Sequence, residues 1–265
     1  MAQQCVSASD QYFTFPALGF SLPPVTLSLW INVASIVSGK HTTLFSWRGT
    51  INTEFFLFYS SSNWQLRYSV AGGTQWNIAT GLNVSTGVWQ HACVAISSSQ
   101  ARLYLGGTSY TANVSHATAS VNGTGYLAKD PIADGQHVAF SGAIAEAAIW
   151  SATLTDAECM ALARRVSPFR LTNRLQNLVL YRDLIRDIQR GIGPTLTAVN
   201  TPTVAAQPPL VYPQSRLHGM FTPARFRPPY RLLAAAADAN SVVQGCAALV
   251  GAVQGLTRPL GEVSS

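Results

Sequence analysis

Short runs of alternating apolar and polar residues dominate the first 150 positions of the chain. The clearest covers residues 25–32, which read VTLSLWIN. Successive side chains of a β-strand point to opposite faces, so a period of two predicts strands with one buried face. Further runs of this kind occupy residues 55–59, 64–70, 91–96, 101–105, 137–140 and 143–150. Glycine, serine and asparagine separate the runs, and this spacing predicts an all-β sandwich or barrel.

Helical signals are nearly absent until the last of these strands has ended. Thr155 precedes Asp156 and Glu158, and a threonine followed three residues later by a glutamate is a capping box. We therefore predict one short helix at about residues 154–165. Apolar runs at 178–184, 195–199 and 203–206 predict two or three more strands after it.

Four motifs resemble the laminin-G-like group of concanavalin A-like domains. Residues 87–95 (GVWQHACVA) and 102–107 (RLYLGG) resemble a hairpin of that family. Residues 142–158 are similar to its closing strand and short helix. Residues 27–31 and 43–46 are similar to its early strands. The resemblance implies a two-sheet antiparallel jelly roll, with Trp89 and Trp150 in the core between the sheets.

We divide the chain into four parts on these grounds. Residues 1–9 are an N-terminal segment, and residues 10–174 are the sandwich with its helix. Residues 175–213 hold additional strands that complete the sandwich or pack beside it. Residues 214–265 form an extended arm rich in Arg, Pro and Ala, in which the prolines of the first part prevent regular structure.

Many laminin-G-like domains hold calcium at the sandwich rim through aspartate and backbone oxygens. Here Gly106 stands where the hairpin of the family usually carries an aspartate. Asp10, Asp130 and Asp134 are the aspartates near suitable loops, which is fewer oxygen ligands than a calcium site usually needs. We therefore expect no cofactor, with calcium as the alternative.

The sequence contains no recognisable catalytic constellation. A glycosidase needs two carboxylates facing one another across the sugar. The only glutamates before the predicted helix are Glu54 and Glu146, and neither has an acidic neighbour at i+2 or i+4. The dispersed histidines form no metal-binding pair: His41, His91, His116, His137 and His218. Cys5, Cys93, Cys159 and Cys246 form no CxxC or Cys/His cluster, and we expect Cys93 and Cys159 to be buried small apolar residues. We expect a protein that is not an enzyme.

Carbohydrate binding is the open alternative, since aromatic rings on an exposed surface can stack on sugars. Trp47, Trp64, Trp76 and Tyr110 lie near predicted turns. Large aromatic side chains are mainly buried, so we expect each of the four in the core.

Charge is scarce and unevenly distributed. Charged residues make up 11% of the chain, and residues 151–265 hold the whole basic excess of a chain whose net charge is +6. Arginine suits protein interfaces, so we predict partner contacts in the arm at Arg216, Phe221, Arg225, Phe226, Arg227, Tyr230 and Arg231. We expect no signal peptide, no membrane span and no direct nucleic-acid contact.

Residues 178–213 are similar to a continuation found in phage-encoded proteins that carry the same sandwich. From this resemblance and the low charge we expect a virion structural protein assembled in the host bacterial cytoplasm. The specific hypothesis is a capsid decoration protein whose arm binds the major capsid protein or sister copies, with a homo-oligomer (a trimer as the working guess) as its state. The alternative hypothesis is a lectin-like module for adhesion to host surfaces, as part of a tail or fibre protein.

Overall fold

A computed structural model describes residues 2–48, 54–69, 76–115, 118–120, 122–131, 135–184, 191–206 and 208. Within these ranges the chain is an all-β sandwich of two mainly antiparallel sheets with one short α-helix, as the sequence predicts. The strands are β1 Ala2–Cys5, β2 Tyr12–Phe15, β3 Ser21–Leu22, β4 Val25–Val33, β5 His41–Arg48, β6 Glu54–Ser60, β7 Asn63–Ser69, β8 Trp76–Asn83, β9 Trp89–Ile96, β10 Gln100–Leu105, β11 Thr108–Asn113, β12 Ala119–Ser120, β13 Gly125–Leu127, β14 His137–Ala139, β15 Gly142–Trp150, β16 Leu178–Arg182, β17 Gly191–Ile192, β18 Thr197–Val199 and β19 Thr203–Ala205. The helix α1 is Asp156–Ala163.

Sheet A is built around the long central strands β4, β9 and β15. Its order in the described part of the chain is β11-β10-β9-β4-β15-β1-β19, and β16 pairs with the second half of β15 and carries β17. Ala2–Cys5 belongs to the sequence segment that we set apart from the sandwich, yet it forms a strand of this sheet. The N-terminal residues and the strand Thr203–Ala205 are therefore neighbours in the sheet.

Sheet B has the order β18-β2-β13-β5-β6-β7-β8 in the described residues, with β14 also paired to β5. The pairing of β14 with β5 is parallel, whereas the other pairs of this sheet are antiparallel. Strand β13 pairs with residues 45–47 of β5, and β14 pairs with residues 41–43 on the same side. The chain therefore leaves the sheet after β13 and returns to it at β14.

The core between the sheets follows directly from the alternation seen in the sequence. Val25, Leu27, Leu29, Ile31 and Val33 of β4 all face it and are fully buried. Sheet B contributes mainly aromatic side chains: Phe13, Phe15, Phe45, Trp47, Phe55, Tyr59 and Trp64. Burial of apolar surface at about 25 cal/mol per Å² makes this layer the main source of stability.

The two tryptophans expected in that core lie on the opposite face of sheet A. Trp150 is fully buried, but it packs with Cys159 and Leu162 beneath α1. Trp89 is only partly buried and packs against Trp30 and Ala143. That prediction was wrong because the family resemblance identified the strands but not the face to which each side chain points.

Helix α1 begins where the sequence predicts. The Thr155 hydroxyl accepts a bond from the backbone N–H of Glu158 at 3.3 Å, and the Glu158 carboxylate accepts one from the backbone N–H of Thr155 at 2.8 Å. The helix lies on the outer face of sheet A. Thr26 of β4 holds the segment before it, accepting from the N–H of Leu154 at 2.9 Å and donating to the carbonyl of Ala152 at 2.8 Å.

Candidate functional site

A pocket opens beside the point where β5 changes its neighbour from β13 to β14. Its volume is about 300 Å³, at the small end of the range for ligand sites. Three separate segments meet in it: the turn before β2, the turn after β13 and strand β14. The lining residues are Ser7, Asp10, Lys129, Asp130, Pro131, His137, Val138 and Ala139.

Asp10 forms one wall of the pocket, and both its backbone N–H and its backbone carbonyl are hydrogen-bonded. It ends a short 3₁₀ turn in a left-handed conformation, with φ of 50° and its N–H bonded to the carbonyl of Ser7 at 3.0 Å. The Asn200 amide donates to the carbonyl of Asp10 at 3.0 Å. These bonds fix the backbone at Asp10, so its carboxylate is directed by the fold.

Lys129 closes the pocket opposite Asp10. Its ammonium group donates to the Asp10 carboxylate at 2.6 Å and lies 4.5 Å from the centre of the Tyr12 ring. Tyr126 lies beside Tyr12, with ring centres 6.1 Å apart. The side chains of Asp10 and Lys129 are 51% and 26% exposed, so both charged groups remain able to bond a ligand.

Asp130 and His137 form the inner wall. Their side chains are 1% and 6% exposed, and the Asp130 carboxylate lies 3.9 Å from Nδ1 of His137. The Ser46 hydroxyl donates to the Asp130 carboxylate at 3.4 Å. His137 stands next to His41 across the parallel ladder, with ring centres 5.3 Å apart. The inner wall is therefore polar and rigidly packed.

The loop between β13 and β14, which borders the pocket, is hydrogen-bonded at both of its ends to β5 and the residue before it. The N–H of Ala128 bonds the carbonyl of Leu44 at 2.9 Å, and the N–H of His41 bonds that of Gln136 at 3.0 Å. Lys40 donates to the carbonyl of Gly135 at 2.6 Å. A site held in this way loses little entropy when a ligand binds.

The pocket offers hydrogen-bond acceptors and donors in a small space. Asp10 and Asp130 supply two carboxylates beside the single ammonium of Lys129. Carboxylates accept hydrogen bonds from hydroxyl groups, and an ammonium donates to ring or hydroxyl oxygens. This arrangement suits a neutral polyhydroxylated ligand better than an anion.

Two of the three aspartates considered for calcium meet in this pocket, Asp10 and Asp130, while Asp134 lies outside the described residues. Within the described ranges no three His, Cys, Asp or Glu side chains are grouped as metal ligands. The pocket thus supplies two carboxylates, which is fewer oxygen ligands than a calcium site usually needs.

The aromatic residues considered as sugar platforms divide between core and surface. Trp47 and Trp64 are fully buried, as expected, whereas Tyr110 on the edge strand β11 is 37% exposed. The side chain of Trp76 lies outside the described part of the structure.

Glu146 of the closing strand and His91 of the hairpin motif both have structural partners. Glu146 is buried and accepts a bond from the Tyr181 hydroxyl at 2.9 Å. His91 is 1% exposed and its Nε2 lies 2.8 Å from the Ser28 hydroxyl. Both side chains therefore have partners within sheet A. The side chain of Glu54, together with His116 and His218, lies outside the described residues.

The partner-binding residues predicted in the arm all lie outside the described residues: Arg216, Phe221, Arg225, Phe226, Arg227, Tyr230 and Arg231. Conversely, no sequence motif singles out Lys129 or Ser7, and His137 is one of several dispersed histidines. A weak signal existed, because Lys40 and Lys129 are the two lysines of an arginine-rich chain and both hold this loop region.

No helix in the described residues is both long enough and apolar enough to span a membrane.

Comparison with known families gives one match. The family described as the concanavalin A-like lectin/glucanases superfamily matches residues 7–159. These residues include every side chain that lines the pocket. No curated protein matches the chain in sequence.

Two solved structures share the fold at low sequence identity. One is a protein from Bacteroides ovatus ATCC 8483, described as a candidate carbohydrate-binding protein, with a TM-score of 0.52 and 17% identity. The match covers 77% of this chain but only 61% of that protein. The other is the heptameric SAP-like pentraxin of Limulus polyphemus, with a TM-score of 0.52, 15% identity, and coverage of 74% of this chain and 89% of the pentraxin chain.

Proposed function

The chain belongs to the concanavalin A-like lectin/glucanases superfamily, and from that premise we propose that it is a non-enzymatic glycan-binding module. The site is the pocket between Asp10, Lys129, Asp130 and His137. The observation that carries the proposal is the pairing of carboxylate acceptors with an ammonium donor in a cavity of about 300 Å³. The description of the Bacteroides protein as a candidate carbohydrate binder supports the same class of ligand.

The size and the charge of the pocket restrict the class of ligand that it can bind. A cavity of about 300 Å³ accommodates one terminal sugar unit rather than a long chain segment. The excess of carboxylates disfavours sialic and uronic acids, because a ligand carboxylate would meet two like charges. Neutral hexoses and amino sugars are therefore the expected ligands.

Binding fits this pocket better than hydrolysis. A glycosidase needs one carboxylate as acid and a second as base or nucleophile, both in contact with the scissile bond. Here the Asp10 carboxylate is engaged by Lys129, and the Asp130 side chain is 1% exposed. Both groups are positioned as fixed hydrogen-bond partners.

The test is a glycan array with the full-length protein, followed by calorimetry with the best neutral ligand. Asp10→Asn and Lys129→Ala should each weaken binding by about tenfold or more, since hydrogen bonds to charged groups contribute about 1.5–3 kcal/mol. Asp156→Asn is the matched control, because Asp156 is also an exposed, ion-paired aspartate but lies on α1.

Three outcomes contradict different parts of the proposal. An array without any bound glycan rejects glycan binding. A bound glycan whose affinity is unchanged in both pocket variants places the site elsewhere on the sandwich. Release of reducing sugar from the bound glycan, abolished in Asp130→Asn, makes the protein an enzyme.

The second candidate is a virion structural protein, specifically a capsid decoration protein assembled in the bacterial cytoplasm. Its support in the described residues is a surface after α1 that carries Arg164, Arg165 and Arg170 exposed beside Phe169, which is 44% exposed. Arginine and aromatic residues are enriched at protein interfaces. The family and the fold neighbours favour glycan binding over this candidate, although a virion protein could display a glycan-binding sandwich.

A further inference from the structure

Two cysteines far apart in sequence meet on the outer face of sheet A. Cys93 is in the middle of β9, and Cys159 is on the side of α1 that faces the sheet. Both side chains are fully buried, and their sulfur atoms are 3.7 Å apart. Trp150, Leu154 and Leu162 surround them. The thiols are thus in van der Waals contact within a closed apolar layer.

The two cysteines are held in place in different ways. Cys93 is held on both sides by sheet pairing, opposite Ser28 of β4 and Tyr104 of β10. Helix α1 has eight residues, and its first turn is bonded to sheet A by Arg102 and Tyr104, which both donate to the Asp156 carboxylate. A small shift of the helix is enough, since a sulfur–sulfur bond of about 2.05 Å requires the two atoms to approach by less than about 2 Å.

Other roles for the pair fit less well. A catalytic thiol needs an accessible thiolate, whereas burial, reinforced by the neighbouring Cys159 thiol, raises the pKa of Cys93 well above its ordinary value. A metal site needs further ligands, and the described residues provide no such group.

We propose that Cys93 and Cys159 are a disulfide-forming pair that covalently joins α1 to β9 when the protein is in an oxidising environment. The inference rests on the geometry of the pair and not on the glycan-binding proposal.

A low-molecular-weight disulfide such as oxidised glutathione is the oxidant. When α1 lifts, the thiolate of one cysteine attacks a sulfur of the oxidant, forms a mixed disulfide and releases one small thiolate. The thiolate of the second cysteine then attacks the protein sulfur of that mixed disulfide and releases the other. Two protein thiols are oxidised, one small disulfide is reduced to two small thiols, and the two protein protons pass to the released thiolates.

The crosslink would close a loop between positions 66 residues apart. Closing a loop of that length restricts the unfolded chain and so stabilises the folded one. The oxidised protein should therefore melt about 5–15 °C higher than the reduced protein. Because the raised pKa disfavours the thiolate, oxidation should be slow under native conditions and faster where α1 opens, for example on mild warming.

The experiment compares full-length protein incubated with oxidised glutathione and with dithiothreitol. Under denaturing conditions the four thiols of the chain should fall to two after oxidation. Peptide mapping after alkylation should yield one linked peptide pair containing Cys93 and Cys159. Cys5→Ala is the matched control, since Cys5 is also buried and free; it should still form the crosslink, while Cys93→Ala should not.

Two results would overturn the inference. One is a map in which Cys93 and Cys159 stay reduced, or carry only glutathione, after warming with oxidant. The other is a crosslink between a different pair, such as Cys5 with Cys246. Because both readouts use the native sequence, they hold even if Cys93→Ala does not fold.

Discussion

At the scale of single residues, His91 shows how burial determines chemistry. Its imidazole bonds Ser28 within sheet A, and burial lowers the pKa of His91 to about 3. In the unfolded chain the same group has an ordinary pKa near 6.5. Between these values the unfolded state binds a proton that the folded state does not, so stability is fully present above about pH 6.5 and falls as the pH drops towards 3.

The expected slope from this one group is about 1.4 kcal/mol of unfolding free energy per pH unit between pH 6.5 and 3. His91→Gln, which can keep the bond to Ser28, should flatten the dependence measured by urea unfolding. Ser28→Ala is the control, because it removes the bond but leaves the imidazole buried. An unchanged slope in His91→Gln would show that other groups cause the acid sensitivity.

At the scale of elements, the capping box of α1 connects the helix to a later segment of the chain. Thr155 and Glu158 bond each other reciprocally, and Arg174 donates to the second oxygen of Glu158 at 2.7 Å. The start of the helix and the segment before β16 are thereby connected. Helix α1 in turn covers Trp150 and Cys93, so its cap protects the apolar layer on the outer face of sheet A.

Thr155→Ala should lower the unfolding free energy by about 1 kcal/mol, because the backbone N–H of Glu158 loses its acceptor. Thr155→Ser keeps the hydroxyl and should behave almost as the native protein in the same urea titration. Equal losses in the two variants would mean that the threonine methyl group, rather than the hydroxyl bond, stabilises this end of the helix.

The long strands and the short N-terminal strand differ in how far the sequence predicted them. The period-2 runs predict β4, β7, β9 and β10 to within two residues at each end. They do so because the alternation of apolar and polar residues within a run identifies the buried face of that strand. The pairing of Ala2–Cys5 with β15 and β19 was missed. A four-residue strand has too few positions to show a period, and its partners are far away in the sequence.

At the scale of the whole molecule, every strand in the described residues lies before the C-terminal arm. Both sheets, including β18 and β19, are built from residues up to Ala205. Residues 1–213 should therefore fold with a melting temperature within a few degrees of that of the full-length protein. Circular dichroism on the two proteins checks this expectation.

Light scattering on the same two samples tests the assembly role proposed for residues 214–265. If the arm binds sister copies, the full-length protein should be oligomeric and the 1–213 protein monomeric. Equal oligomeric states would remove the arm from assembly. Glycan binding should be the same in both proteins, because the pocket lies between residues 7 and 139.

The sequence by itself determined the strands, the capped helix and the family, because alternation, capping and turn motifs depend on neighbours only a few residues apart. Only the tertiary structure decided which face Trp89 and Trp150 occupy, and only it brought Cys93 to Cys159. The pocket belongs to the second group. Its side chains come from three segments. Asp10 lies 119 residues before Lys129, and a loop separates Lys129 from His137. They are neighbours because β2, β13 and β14 pack around β5.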